Sequence, residues 1–304
     1  MPERGPGAVR IAVTGASGVI GSALVPSLRA SGHEVLRLVR RPVAAPDEVT
    51  WDPAAGTVDL ARLAGTDAVV HLAGANVGDK RWTESYKRTI LSSRVDSTRT
   101  IVRAMTSLDP MPSVLLSGSA VGFYGDRGEE VLLETSARGE GFLTDVVVAW
   151  EAETAPAAAA GIRVALLRTG LVMAECGGAF ARLLPFIRAG VGGQIGDGRM
   201  WWPWITLLDE VRAIEHLLDT DVSGPVNLGS PSPARNADVT KAVGRAFGRP
   251  TVVPVPAFAL RVVLGEFSKD VTGSQRVVPH VLAGSGFDFV HEDVDSAAVW
   301  LAEQ

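Results

Sequence analysis

Three glycines spaced three apart carry the first suggestion of chemistry in this chain. In TGASGVIG, Gly15, Gly18 and Gly21 stand between an apolar run at residues 9–14 and an amphipathic stretch at 22–30. A strand that ends in such a turn and leads into a helix can bring backbone N–H groups up to a pyrophosphate. The glycines allow the tight turn, the approach of the anion and the packing of helix on strand. Ser17, Val19 and Ile20 complete the backbone of that turn. The spacing is GxxGxxG rather than GxGxxG, so a purely structural turn is the alternative. The next strand, 34–40, runs into Val39-Arg40-Arg41-Pro42 without an acidic residue. An acid there binds a ribose 2′-hydroxyl, whereas arginine accommodates a 2′-phosphate. The expectation is NADP(H), with Arg40 as the first phosphate ligand and Arg41 as the second; two solvated surface arginines are the alternative.

The elements that must position these residues alternate along the chain. Strands at 9–14, 34–40, 68–73, 113–118 and 162–169 are separated by helical stretches at 22–30, 82–105 and 144–160, the rhythm of a parallel sheet with crossover helices. Beyond Gly170 the pattern loosens into a glycine-punctuated segment that ends in Trp201, Trp202, Pro203 and Trp204. Helices return at 207–218, 236–247 and 256–264, with a short strand at 225–228. The expected fold is α/β: a Rossmann-type doubly wound parallel sheet at 1–235, with a lid segment at 170–205, and a smaller C-terminal substrate or capping region at 236–304.

Composition narrows the function classes. Lys+Arg 29 against Asp+Glu 34 gives a formal charge of -5, so there is no basic field for nucleic acid or an anionic bilayer. The single cysteine, Cys176, can form neither an internal disulfide nor a cysteine metal cage. The histidines are scattered without HxxxH or HExxH spacing, and no metal is expected. The first ten residues lack an apolar core of the signal-peptide kind, and later apolar runs are broken well short of a membrane span. The expected location is cytoplasmic. The acidic residues at 126–140 include Glu134, the first of them to test as an acid or base, with a solvated loop as the alternative.

Longer motifs resemble the short-chain dehydrogenase/reductase superfamily in its extended, epimerase-like form. HLAG, from His71 to Gly74, looks like that family's motif beside the cofactor, which implies contacts from Leu72, Ala73 and Gly74. SGSAVGFYG, residues 117–125, looks like the strand motif that carries the active-site serine, and by that register Ser119 is the serine. The stretches at 79–98, 167–180, 201–206 and 264–289 resemble an atypical, epimerase-family subgroup with a small C-terminal domain of its own.

Departures from the family pattern bear on the chemistry. A YxxxK motif should supply the proton-transferring tyrosine and its lysine, but counting back from Glu151 puts Leu143 and Val147 at those positions. Arg94 stands where the relay asparagine is expected, and Pro203 and Thr206 replace a serine and a histidine of the subgroup. Tyr124 is the nearest tyrosine and a replacement acid, with packing below the site as the alternative. Lys80, Arg81 and Trp82 could clamp an anionic or planar substrate, with a surface role at a helix start as the alternative. Leu171, Trp202 and Trp204 should face it from the lid, or else simply pack.

The resemblance implies an NADP(H)-dependent oxidoreductase or epimerase-like enzyme acting on a small organic substrate, with Ser119, Tyr124 and Arg94 as catalytic candidates. The rival is an NADP(H)-binding sensor or scaffold without turnover. A small molecule is the expected partner, with no nucleic acid and no membrane. A homodimer through the helices at 82–105 and 144–160 is the assembly that the resemblance suggests.

Overall fold

In a computed structural model, which describes residues 9–304, the apolar runs become the centre of one eight-stranded sheet. Its spatial order is Gly224–Leu228, Arg163–Thr169, Val114–Ala120, Ala68–His71, Arg10–Thr14, Glu34–Val39, Glu48–Asp52 and Thr57–Val58. Neighbours are parallel throughout, except that Thr57–Val58 runs antiparallel to Glu48–Asp52 at the edge. The four residues of Ala68–His71 are all buried, as expected of a strand covered on both faces. The order reverses at Arg10–Thr14, so the crevice above the carboxyl ends lies where ligands bind such sheets. The residues read above for a leader segment lie, apart from the last two, outside the described part.

Each face carries its own core. On one, Leu24, Val25 and Leu28 of the helix Val19–Ala30 meet Ala213, Ile214 and Leu217 of the helix Leu207–Leu218. On the other, Ile101, Val102 and Met105 of the long helix Glu84–Thr106 lie against Leu36 and Leu115. The third core joins lid to C-terminus. There Phe180, Leu184, Trp202 and Trp204 pack with Val239 and Val243 of Asn236–Ala246 and with Ala297 and Leu301 of Val294–Ala302. Each large side chain buried in this way contributes about 1.5–3 kcal/mol. The lid therefore shares a core with the chain beyond residue 236.

Several boundaries differ from the sequence reading for local reasons. The first helix starts at Val19, three residues early, because the glycine turn feeds straight into it. The helix expected at 144–160 is two, Phe142–Ala152 and Ala155–Ala159, and Pro156 begins the second. The strand Glu48–Asp52 was not anticipated; its short EVTWD sequence, with two exposed residues, gives little periodicity to read. The C-terminal helix Val294–Ala302 was also missed.

Candidate cofactor and substrate site

The glycine turn is built by close approach. Gly15 has φ +69°, and a Cβ there would lie 2.7 Å from the backbone carbonyl carbon of Leu72, so the HLAG segment presses on the turn. A Cβ at Gly21 would come within 2.3 Å of the Gly15 carbonyl oxygen. Gly18 is different: its Cβ would touch only that same oxygen, at 3.2 Å, and otherwise face open space. Gly18 also caps the helix Val19–Ala30 without a side-chain hydrogen bond, which leaves the first-turn N–H groups unfilled by a cap. This is a cradle that fits a phosphate group. Gly177 lies directly over Val19, where a Cβ would meet Cγ2 at 2.5 Å, and so brings the lid to the turn.

The two arginines after Glu34–Val39 part company. Arg41 is bound to the buried carboxylate of Glu48 by two hydrogen bonds, at 2.9 and 2.5 Å. The Arg41 hydrogen bonds, with the Ala44 N–H, hold that carboxyl down at about 2. Arg40 is exposed and has no hydrogen bond or ion pair among the described residues. Arg41 as a second phosphate ligand is thus corrected: its guanidinium already has a carboxylate. Arg40 is free to take an anion.

From the strand ends a polar relay leads to Arg94. Thr14 Oγ1 accepts from the N–H groups of Leu72 and Ala73, at 3.1 and 3.2 Å, so its own proton goes to His71 Nδ1 at 2.8 Å. Nε2 then carries the other proton and donates to Thr98 Oγ1 at 3.0 Å, while Thr98 donates to the Arg94 carbonyl. Burial pushes His71 down to about 3, and the ring is neutral. The helix Glu84–Thr106 also grips the loop beyond Gly74. Ser93 Oγ accepts from the Ala75 N–H, Arg94 Nη1 donates to the Ala75 carbonyl at 2.9 Å, and Tyr86 and Trp82 donate to the carbonyls of Asn76 and Val77.

Ser119 sits on a second network. Its hydroxyl donates to Glu151 Oε1 at 2.5 Å, and the same carboxylate takes Nε and Nη2 of Arg168 at 2.9 and 3.0 Å. Burial, the largest single influence, pulls the Arg168 guanidinium down, but the hydrogen bonds and charges of Glu151 and Tyr124 together outweigh it and the net shift is upward. Arg168 also donates to the Tyr124 hydroxyl, whose proton goes to Asn227 Oδ1 at 2.6 Å. Tyr124 is fully buried, and burial raises its pKa. The expectation of Tyr124 as a replacement acid is corrected: its proton has an internal acceptor and it meets no solvent. Glu134 is likewise buried, accepting from the N–H groups of Asn227 and Val281. Leu143 and Val147 pack inward near Gly122.

The aromatic platform expected for substrate is used for packing. Trp82 lies between Phe142 and Phe267, with centroids 5.0 and 5.1 Å away. Trp202 and Trp204 are buried in the lid core, and Leu171 is half-buried on a strand paired with Trp204, its N–H donating to the Pro203 carbonyl. The three tryptophans are corrected from substrate surface to scaffold, whereas Leu171 keeps part of its surface open. Lys80 remains exposed, 5.9 Å above the Tyr86 ring, beside a cavity of about 170 Å³ that Arg81, Leu264 and Phe267 help to line. Arg182 of the lid reaches across to the Gly78 carbonyl and Asp79. Among the described residues, no three His, Cys, Asp or Glu side chains group as a metal site.

Known proteins resemble this chain in sequence and fold. Residues 11–229 match the model of the NAD dependent epimerase/dehydratase family, and residues 255–301 match a domain of unknown function, DUF1731. The chain belongs to the NAD dependent epimerase/dehydratase family. Within it, the epimerase family protein MT2273 of Mycobacterium tuberculosis is 41% identical over 289 residues, 94% of this chain and 95% of that one. YfhF of Bacillus subtilis, also an epimerase family protein, is 34% identical over 295 residues, 95% of this chain and 96% of that one. The human epimerase family protein SDR39U1, crystallised with NADPH, superposes with a TM-score of 0.87 at 31% identity, over 97% of this chain and 99% of that chain. The family resemblance seen in the motifs is therefore correct, as is the Rossmann-like α/β fold. No helix among the described residues is long and apolar enough to cross a membrane.

Glu151, Arg168, Trp150 and Arg182 were not anticipated as site residues. Glu151 had a positional signal in the motif count, and Arg168 stood in LLRTG, but their pairing joins a helix to a strand and has no spacing to read.

Proposed function

We propose that this chain binds NADP(H) on the Gly15–Gly21 turn and acts as an oxidoreductase or epimerase-like enzyme on a small organic substrate. One observation carries the reading: an uncapped helix start opens at Gly18, while the free guanidinium of Arg40 follows a strand end without a free acid. The NADPH-bound human relative supports the choice of cofactor. When bound, the nicotinamide supplies or accepts hydride. Thr14 and His71 fix the strand ends beside the turn, and the Leu72–Ala73 backbone sets its depth. Ser119 can accept a hydrogen bond from a substrate hydroxyl, because its own proton is directed at Glu151. With Leu143 and Val147 in the Tyr and Lys places, proton transfer falls to solvent or the substrate's own group, which favours reactions needing little proton help.

A second reading, an NADP(H)-binding protein without turnover, is favoured by those two apolar residues and by the bound Ser119 proton. Calorimetric titration with NADPH and with NADH tests the common foundation. The expected result is NADPH preference of about tenfold or more, lost in Arg40→Ala, as for a charge-assisted phosphate contact. Binding of neither nucleotide overturns both readings. Oxidation of bound NADPH by some carbonyl, alkene or imine then separates enzyme from sensor.

A further inference from the structure

The stretch that leads into the C-terminal region turns an apolar face to water. The helix Ala257–Leu264 packs Leu260 against the third core but leaves Phe258, Val262 and Val263 68 to 73% exposed. Just before it, Val252 is 80% exposed and Val253 half-exposed. This stretch runs beside the segment at 170–205. The Val255 N–H donates to the Gln194 carbonyl at 2.8 Å, its carbonyl accepts from the Gly196 N–H at 2.9 Å, and a Cβ at Gly190 would touch Pro250 Cδ at 3.6 Å. There Phe186 and Val191 are exposed as well, and the Val191 N–H donates to the Phe186 carbonyl.

Single apolar side chains on a surface are ordinary, but a joined face of this extent is not. These side chains leave roughly 700 Å² in water, where the largest patch on a typical monomer measures about 300–600 Å². A standard interface hides about 800 Å² on each partner, so this face supplies nearly the whole of one. Exposed charges of both signs flank it along the chain: Arg249, Arg261 and Lys269 with Glu266 and Asp270. Such a rim can complement itself when a two-fold axis turns one copy onto another, whereas an anionic bilayer asks for a cationic rim. The helices Glu84–Thr106 and Phe142–Ala152, on the side where the family resemblance suggested a dimer, offer less. Among the described residues, Leu91 is the one large apolar side chain exposed on the first, and the second exposes none.

We infer that this face, residues 252–263 with Phe186 and Val191, seats a second copy of the chain about a two-fold axis. The same residues then meet from both sides, and the apolar surface that each copy exposes is covered by its like. Phe186 and Val191 belong to the segment at 170–205, whose Gly177 lies over Val19. The second copy therefore braces the segment that reaches the glycine turn. The inference stands independently of the NADP(H) reading.

The test is sedimentation velocity on the full chain at micromolar concentrations, where the wild type should sediment as a dimer. Val253→Asp and Val262→Asp, one on each side of Pro256, should each weaken dimerisation about tenfold or more, since each brings a charge against an apolar face and its own image. Both side chains are at least half exposed in the single chain, so both variants should keep the circular dichroism of the wild type. Leu91→Asp, on the other side, should leave the dimer unchanged. A monomeric wild type, a dimer that survives both aspartates with undiminished affinity, or a dimer dissociated by Leu91→Asp overturns the inference. Flotation with vesicles of phosphatidylcholine and phosphatidylglycerol checks the other occupant: a monomeric wild type that floats with them assigns the face to lipid and overturns the inference as well.

Discussion

Ser119 and Arg168 share one carboxylate: Glu151 accepts from the serine hydroxyl at 2.5 Å and from two nitrogens of the guanidinium at 2.9 and 3.0 Å. Arg168 is 3% exposed, so the carboxylate is the counter-charge of a buried cation as well as the anchor of the serine. Removing either partner therefore has very different consequences. Glu151→Leu leaves Arg168 buried without its acid and should cost about 3–5 kcal/mol, whereas Ser119→Ala should cost about 1.5–3 kcal/mol. Urea denaturation of both variants measures this. Equal losses would mean that Arg168 finds another acceptor.

The three glycines of the turn should not respond alike. Gly21→Ala places a methyl 2.3 Å from the Gly15 carbonyl oxygen, and backbone must move, so this variant should be strongly destabilised. Gly18→Ala meets only one oxygen, at 3.2 Å, and should fold with a loss of about 1 kcal/mol or less. Its methyl nevertheless points into the open side of the cradle, so NADPH affinity should fall by about tenfold or more, roughly 1.4 kcal/mol. Thermal melting together with calorimetry distinguishes the two; Gly18→Ala with native NADPH affinity would remove the turn from the site.

Glu210 makes stability depend on pH. It is fully buried, with Thr169 donating to Oε1 at 2.8 Å and Oε2 left without a partner among the described residues, and burial raises its pKa from 4.5 to about 8. The folded state then holds a proton that the unfolded state releases. The contribution is complete below pH 4.5 and is lost as pH rises through about 8, with a slope of at most about 1.4 kcal/mol per pH unit. Denaturation midpoints measured across that window should fall with pH in the wild type and more shallowly in Glu210→Gln. Parallel curves would show that Glu210 titrates normally.

Half-exposed charges tie the segment at 170–205 to the loop beyond Gly74. Arg182 pairs with Asp79 at 2.8 Å and reaches the neighbouring Gly78 carbonyl, and exposed pairs of this kind contribute about 1 kcal/mol or less. Arg182→Ala should accordingly speed NADPH dissociation by about twofold to fivefold while leaving the melting temperature nearly unchanged. Stopped-flow displacement of bound NADPH reads the rate directly. An unchanged rate would separate the latch from nucleotide release.

The strands of the sheet centre and the glycine turn were legible because each is local. Period and composition mark a strand buried on both faces, and a glycine triplet at its end has few other uses. The edge strand Glu48–Asp52 escaped because five residues with mixed exposure carry little periodicity. The role of Arg41 escaped because it depends on Glu48, which lies on the next strand. The tryptophans misled for a related reason: an aromatic ring serves a ligand or a core equally well, and only the neighbours that close over it decide.

The sequence by itself determined the α/β architecture, the nucleotide-type turn and the replacement of the Tyr and Lys positions by Leu143 and Val147, since these depend on residue type and near spacing. The tertiary structure alone decided which polar groups are already satisfied. It gave Glu151 to both Ser119 and Arg168, gave the Tyr124 proton to Asn227, and left the Nε and Nη2 edge of Arg94 without an acceptor among the described residues. A hydrogen bond or ion pair needs two groups within about 3 Å, and the chain brings such groups together from positions 103 and even 147 residues apart only when its helices close on the sheet.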